Sequence, residues 1–99
     1  MTDVVFLRDD TYSDVFAIFP QFSGAYSCLD VVVCYQHIGQ HSQAHLDYCR
    51  ECVEVVDPAE YAELREELER IGYDDLNVVE LDCVDSADYR MARRIDRGY

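Results

Sequence analysis

The chain has 99 residues, 49% hydrophobic and 12% aromatic, and its 21 acidic against eight basic side chains leave a net charge of −13. That length fits one domain, residues 1–99, with room for a core but not for separate catalytic and regulatory units, and the apolar content argues against a disordered chain despite the charge. So acidic a surface disfavours direct nucleic-acid binding and association with anionic membrane, and favours partners with a basic surface.

Residues 4–8, VVFLR, and 14–19, DVFAIF, are β-branched and aromatic runs separated by the polar cluster DDTYS, a pattern that predicts a β-hairpin. Pro20 is expected to end the second strand and residues 21–27 to form a loop. Residues 29–36, LDVVVCYQ, predict the strongest strand, with Gly39 ending or bending it. Residues 52–56, CVEVV, predict a further strand that runs into a helix over 58–71. Asp57 is suited to the N-cap, Pro58 to the first helical position, and Glu60 stands where a capping box places its acid. Tyr61, Leu64, Leu68 and Ile71 share one face of this helix, and Gly72 is placed to close it in a left-handed conformation. Residues 76–82 predict a last strand, and Ser86 caps a short C-terminal helix reaching Arg97. The expected fold is α+β: a mainly antiparallel sheet of four to five short strands with helix 58–71 packed on one face and a short helix at the C-terminus.

No basic-plus-apolar stretch at the N-terminus resembles a signal peptide, and no apolar run reaches the ~20 residues that span a bilayer, so a cytosolic protein is expected. The absence of Lys fits either a G+C-rich genome or adaptation to high salt. Five cysteines, Cys28, Cys34, Cys49, Cys52 and Cys83, are an odd number, which fits reduced thiols better than a complete disulfide framework.

The densest chemistry lies in residues 34–52, CYQHIGQHSQAHLDYCREC, which hold all three histidines and three cysteines. Cys34, His37, His41, His45, Cys49 and Cys52 recur at gaps of three or four and would form a stripe of soft metal ligands on a helix, with His37, His41, Cys49 and Cys52 as a candidate zinc set. Gly39 and the strand-forming run before Cys34 oppose that helix, and one C-x-x-C without a second knuckle is a weak zinc signature. Hydrogen-bonding histidines and small buried thiols are the leading alternative, so no cofactor is assigned. A redox C-x-x-C, or Cys34 as a nucleophile with His37 as base, lacks the supporting groups such chemistry needs. No catalytic constellation is present, which points to a non-enzymatic protein.

From Asp57 to Asp75 eight acids, among them Glu60, Glu63, Glu66, Glu67, Glu69, Asp74 and Asp75, stand against Arg65 and Arg70. This segment reads either as a phosphate-mimicking face for a basic groove or as a solvated helix surface. The sign reverses at the C-terminus, where residues 90–99 hold four Arg and one Asp, a tail that folds back on the acidic body or meets an acidic partner, the first being more economical.

The combination FAIFP at 16–20, YQHIGQH at 35–41 and PAEYAELREELERIGYDDLNV at 58–78 resembles a family of small proteins carried by phages, prophages and plasmids, with no established activity. Tyr35, Gln36, His37, Gly39, Gln40 and His41 match its pattern, whereas His45, Cys49, Cys52 and the Arg-rich tail depart from it. The resemblance implies that any shared role of this segment falls on Gln36, His37, Gln40 and His41 as a polar recognition surface. It also implies a mobile-element setting, hence an accessory protein that binds a basic host or phage protein, with inhibition of a host defence or nucleic-acid-handling protein as one form. A small zinc module is the alternative.

Overall fold

A run of four residues, Val4, Val5, Phe6 and Leu7, is at most 1% exposed. Such a strand must be covered on both faces, unlike an alternating strand with one wet side. A computed structural model describes residues 2–9, 14–23, 31–36, 40–84 and 86–97 and shows how that cover is built. The elements are β1 (Thr2–Arg8), β2 (Val15–Ser23), β3 (Val31–Gln36), β4 (Gln40–His45), α1 (Leu46–Glu51), β5 (Val53–Glu54), α2 (Pro58–Arg70), β6 (Leu76–Val78), a 3₁₀ turn at Leu81–Cys83 and α3 (Ala87–Arg97). The fold is α+β, with one mostly antiparallel sheet in the order β4-β3-β2-β1-β5, and β6 parallel to β1 beside its first residues.

Val4 and Phe6 point to one face and Val5 and Leu7 to the other, as the two-residue period requires. On the first face they join Ala17, Phe19 and Tyr35 under Tyr61, Leu64 and Leu68 of α2. Phe6 stacks on Tyr61 at a ring separation of 4.2 Å. On the second face Phe16, Ile18, Val32 and Cys34 are covered by Leu46 and Cys49 of α1 and by Val84 after the 3₁₀ turn. Helices and turns therefore cover both faces, whereas the sequence pattern points to a helix on one. The 3₁₀ turn is tied down by Glu54, whose Oε2 accepts the Leu81 N–H at 3.1 Å. α3 lies against β2, and the Tyr89 hydroxyl donates to Asp3 Oδ2 at 2.8 Å, while Asn77 Nδ2 donates to Asp3 Oδ1 at 3.0 Å. The C-terminal helix α3 is thus part of the fold.

α2 follows its sequence signals closely. Asp57 Oδ1 accepts the Ala59 N–H at 3.0 Å, satisfying one of the unpaired donors of the first turn. At the other end Gly72 has φ +123°, its N–H donates to Glu69 O at 3.3 Å, and the Tyr73 N–H donates to Leu68 O at 2.9 Å, which together form a Schellman closure. Three expectations are corrected. Ile71, placed on the packed face by periodicity, is 48% exposed because the chain leaves the helix there. Pro20 lies inside β2, which continues to Ser23 through a register shift after Phe19, and bulges tolerate a residue without an N–H. The strands expected over 52–56 and 76–82 shrink to two and three residues, since each needs only a short stretch of the β1 edge. Gly39, the DDTYS residues 10–13 and Cys28 lie outside the described residues.

Truncating Leu68, fully buried at the centre of the α2 contact, is expected to destabilise the fold by about 2–5 kcal/mol in Leu68→Ala. Gly72→Ala should cost roughly 1–3 kcal/mol through backbone strain, although nothing stands within 4 Å of an added Cβ. Ile71→Ala should stay within about 0.5 kcal/mol of the parent. Urea unfolding of the three variants checks the ranking, and a cost for Ile71→Ala matching that of Leu68→Ala would contradict the packing described.

Candidate functional site

β3 and β4 pair antiparallel over six residues, with Tyr35 opposite His41 and Gln36 opposite Gln40. This hairpin sends the second half of YQHIGQH back alongside the first, so Tyr35 and His41 become cross-strand neighbours on one face of the sheet. The His41 ring meets the Tyr35 ring edge-on at 4.9 Å. Its Nε2 lies 2.8 Å from the Tyr73 hydroxyl, either group donating according to the imidazole tautomer. Tyr73 is placed there by the Schellman closure and is held by stacking on Phe19 at 4.8 Å.

The hydroxyl of Tyr35 bonds the Glu67 carboxylate, and this bond, with burial, pushes the Tyr35 pKa above its usual value. Burial pushes Tyr73 in the same direction. Both phenols therefore stay protonated well beyond neutral pH. Tyr35, His41, Glu67 and Tyr73 form one polar aromatic junction where the end of α2 crosses β3 and β4. Of these only His41 and Glu67 are singled out by the sequence as partner-binding residues. Tyr35 and Tyr73 belong to the two matched motifs, but nothing in their spacing indicates that they meet.

The other acids of α2 face outward. Glu60, Glu63, Glu66 and Glu69 are exposed, as are Asp74 and Asp75 beyond the helix. Three-residue spacing advances successive carboxylates about 4.5 Å along the axis and turns each by about 60° around it, so the row wraps across the outer surface of the helix. Arg8 Nη1 stands 4.0 Å from Glu60 Oε1 and Arg65 Nε 3.9 Å from Glu69 Oε1. These are exposed pairs of the kind worth little to stability. Glu67 differs from the rest because it turns toward the sheet and Tyr35.

The soft side chains of residues 34–52 separate. Cys34 and Cys49 are buried in the second-face core, with Cys52 packed against them and its thiol donating to the Tyr48 carbonyl at 3.4 Å. His41 is on the opposite face, against Tyr35 and Tyr73. His45 caps α1, its Nδ1 accepting the Asp47 N–H at 3.3 Å. A centre combining His41 with Cys49 and Cys52 would have to span the sheet, and His37 lies outside the described residues. Among the described residues no three His, Cys, Asp or Glu side chains are arranged to hold a metal ion. The Cys49 thiol is pushed up to about 12, by burial first and then by the neighbouring Cys52 and Cys34, which is the reverse of the lowered pKa a reactive C-x-x-C requires.

Beside the β4 edge, on the thiol face, is a recess of about 330 Å³ bordered by Phe16, Cys34, Ala44, His45 and Tyr48, with the amides of Gln36 and Gln43 at its rim. Tyr48 stacks on Phe16 at 6.3 Å and donates its hydroxyl to Asp9. Phe16 reads in the sequence only as a residue of β2, and Tyr48 has no signal as a site residue because α1 is too short to show a period. No described helix is long and apolar enough to cross a membrane. Comparison with protein-family models, curated proteins and solved structures finds no match to the chain.

The raised Cys49 pKa links stability to alkaline pH. Above pH 9.0, the ordinary thiol value, the unfolded chain releases this proton while the folded chain keeps it until about 12, so stability falls as pH rises through that window. One such group contributes a slope of up to about 1.4 kcal/mol per pH unit. Urea unfolding of the parent and of Cys49→Ala between pH 8 and 11 should show a shallower decline in the variant, and equal slopes would show that Cys49 is not desolvated.

Proposed function

We propose that the protein is a non-enzymatic binding protein that presents the outer face of α2 to a basic surface on another protein. The observation carrying this reading is the division of α2: Tyr61, Leu64 and Leu68 anchor it, while Glu60, Glu63, Glu66 and Glu69 stand in a row on the exposed side. The anchored helix gives the carboxylates fixed positions, so little order is lost on docking. Their axial advance of about 4.5 Å is comparable to the ~3.4 Å axial spacing of phosphates along one DNA strand. A groove that accepts nucleic acid is the kind of basic surface such a row can occupy.

The net charge of −13 supports the same reading, because it steers encounter toward cationic partners and away from nucleic acid itself. In the mobile-element setting that the resemblance implies, the partner is a host defence or nucleic-acid-handling protein met in the host cytosol. The tyrosine–histidine junction is a second contact at the end of the same helix.

Glu63→Gln, Glu66→Gln and Glu69→Gln combined should leave stability within about 1.5 kcal/mol of the parent, as exposed substitutions do. The same triple variant should weaken partner capture at least about tenfold if each lost charge contact is worth 0.5–1 kcal/mol. Pull-downs from host lysate at low and moderate salt, with parent and variant as bait, read this out. A partner held by the parent at low salt, released by added duplex DNA and not held by the variant is the expected result. No partner at either salt, or equal capture by both baits, would sink the proposal.

A further inference from the structure

β4 is the outer strand of the sheet, and among the described residues it pairs only with β3. An outer strand offers a row of backbone N–H and C=O groups that can template another strand, and proteins usually block it with charged side chains, Pro, a bulge or shortness. Among the described residues β4 shows none of these defences. Its sequence, QHSQAH, carries no Lys, Arg, Asp, Glu or Pro. All six residues pair with β3 in unbroken register. The other end of the sheet is managed differently, since beyond β1 lie only the two residues of β5 and the three of β6.

We infer that β4 is a docking edge for an extended, basic segment of the partner protein, which joins the sheet as an added strand. The inference rests on the acidic-surface reading above and deepens it by naming the form of the ligand. Charge complementarity selects this occupant. Two copies of a chain of net charge −13 repel each other, whereas a cationic segment is attracted. The side chains of an added strand alternate between the two faces. On one face they meet the junction where Glu67 and His41 lie, which suits Arg or Lys. On the other they meet the recess bordered by Phe16, Ala44 and Tyr48, which suits an aliphatic side chain. The six residues of β4 match a segment of similar length, about 20 Å of extended chain. Backbone bonds would supply affinity and the alternating side chains selectivity.

Fluorescence anisotropy on the full chain tests this with a labelled six-residue peptide alternating Arg and Leu, an isomer with three Arg followed by three Leu, and two alternating peptides N-methylated in opposite phase. The alternating peptide should bind at least about tenfold more tightly than the block isomer, and only one N-methylated phase should lose about tenfold or more, since that phase removes the N–H groups facing β4. Glu67→Gln should weaken the alternating peptide several-fold.

Equal binding of all four peptides would overturn strand addition and leave the acidic-surface reading standing, because charge alone would then suffice. No binding of any of them at low salt would overturn both. Doubling of the mass of the free protein by light scattering, reversed by the alternating peptide, would assign the edge to a second copy and overturn the basic-segment proposal.

Discussion

Val4, Val5, Phe6 and Leu7 have almost no surface left in contact with solvent, and this burial requires cover on both faces and pairing on both edges of β1. β2 takes one edge over most of its length. The other is divided between β6, parallel and beside Thr2–Val4, and β5, antiparallel and beside Leu7 and Arg8. α2 connects those two short strands and so crosses the first face, while α1, which precedes β5, and the 3₁₀ turn, which follows β6, lie over the second. The positions of all three covering elements thus follow from the demands of one strand. Polar pairings such as Asp3 with Tyr89 and Asn77 then settle where the later segments end.

The readable parts of this arrangement are those whose signals are local. Asp57, Pro58, Tyr61, Leu64, Leu68 and Gly72 mark the start, face and end of α2 through capping and period, and each acts as its chemistry requires. The hairpin of β1 and β2 is similarly legible from β-branched and aromatic runs. β4 and α1 are not, because QHSQAH has a composition suited to a turn and LDYCRE is too short for a helical period. What makes β4 a strand is its partner: all six of its residues pair with β3, and Ala44 and Leu46 continue the buried face of β3. Missing β4 also hides the site, since Tyr35 and His41 meet only when the chain returns on itself. The sequence reading places Gln36, His37, Gln40 and His41 on one strand running into a turn; His37 lies outside the described residues, and the other three fall on two paired strands, with Gln36 opposite Gln40.

Separation of His41 from Cys34 and Cys49 by face explains why a stripe of soft ligands at helical spacing does not make a metal site among the described residues. Once Val31–Gln36 and Gln40–His45 pair with Tyr35 opposite His41 and Cys34 opposite Ser42, alternate side chains fall on opposite faces, and Cys34 and His41 lie on opposite sides of the sheet. Cys34 and Cys49 lie in the core, and burial keeps both thiols protonated. His41 gathers where phenols and a carboxylate are present. The first group behaves as packing and the second as a polar aromatic junction, from residues that are neighbours in the chain.

α2 joins these features because its faces do different work. Its buried stripe anchors it to the sheet, its outer row carries negative charge, and its C-terminal closure delivers Tyr73 to His41 on the outer strand. Glu67 lies between the outer row and the sheet and brings a carboxylate to the hairpin through Tyr35. The position of negative charge relative to the outer strand β4 therefore depends on how the helix ends, which in turn depends on Gly72 adopting a positive φ. Buried and exposed residues are separate on most of α2, and beyond its closure Tyr73 links core and surface, since one side chain both stacks on Phe19 and contacts the outer strand.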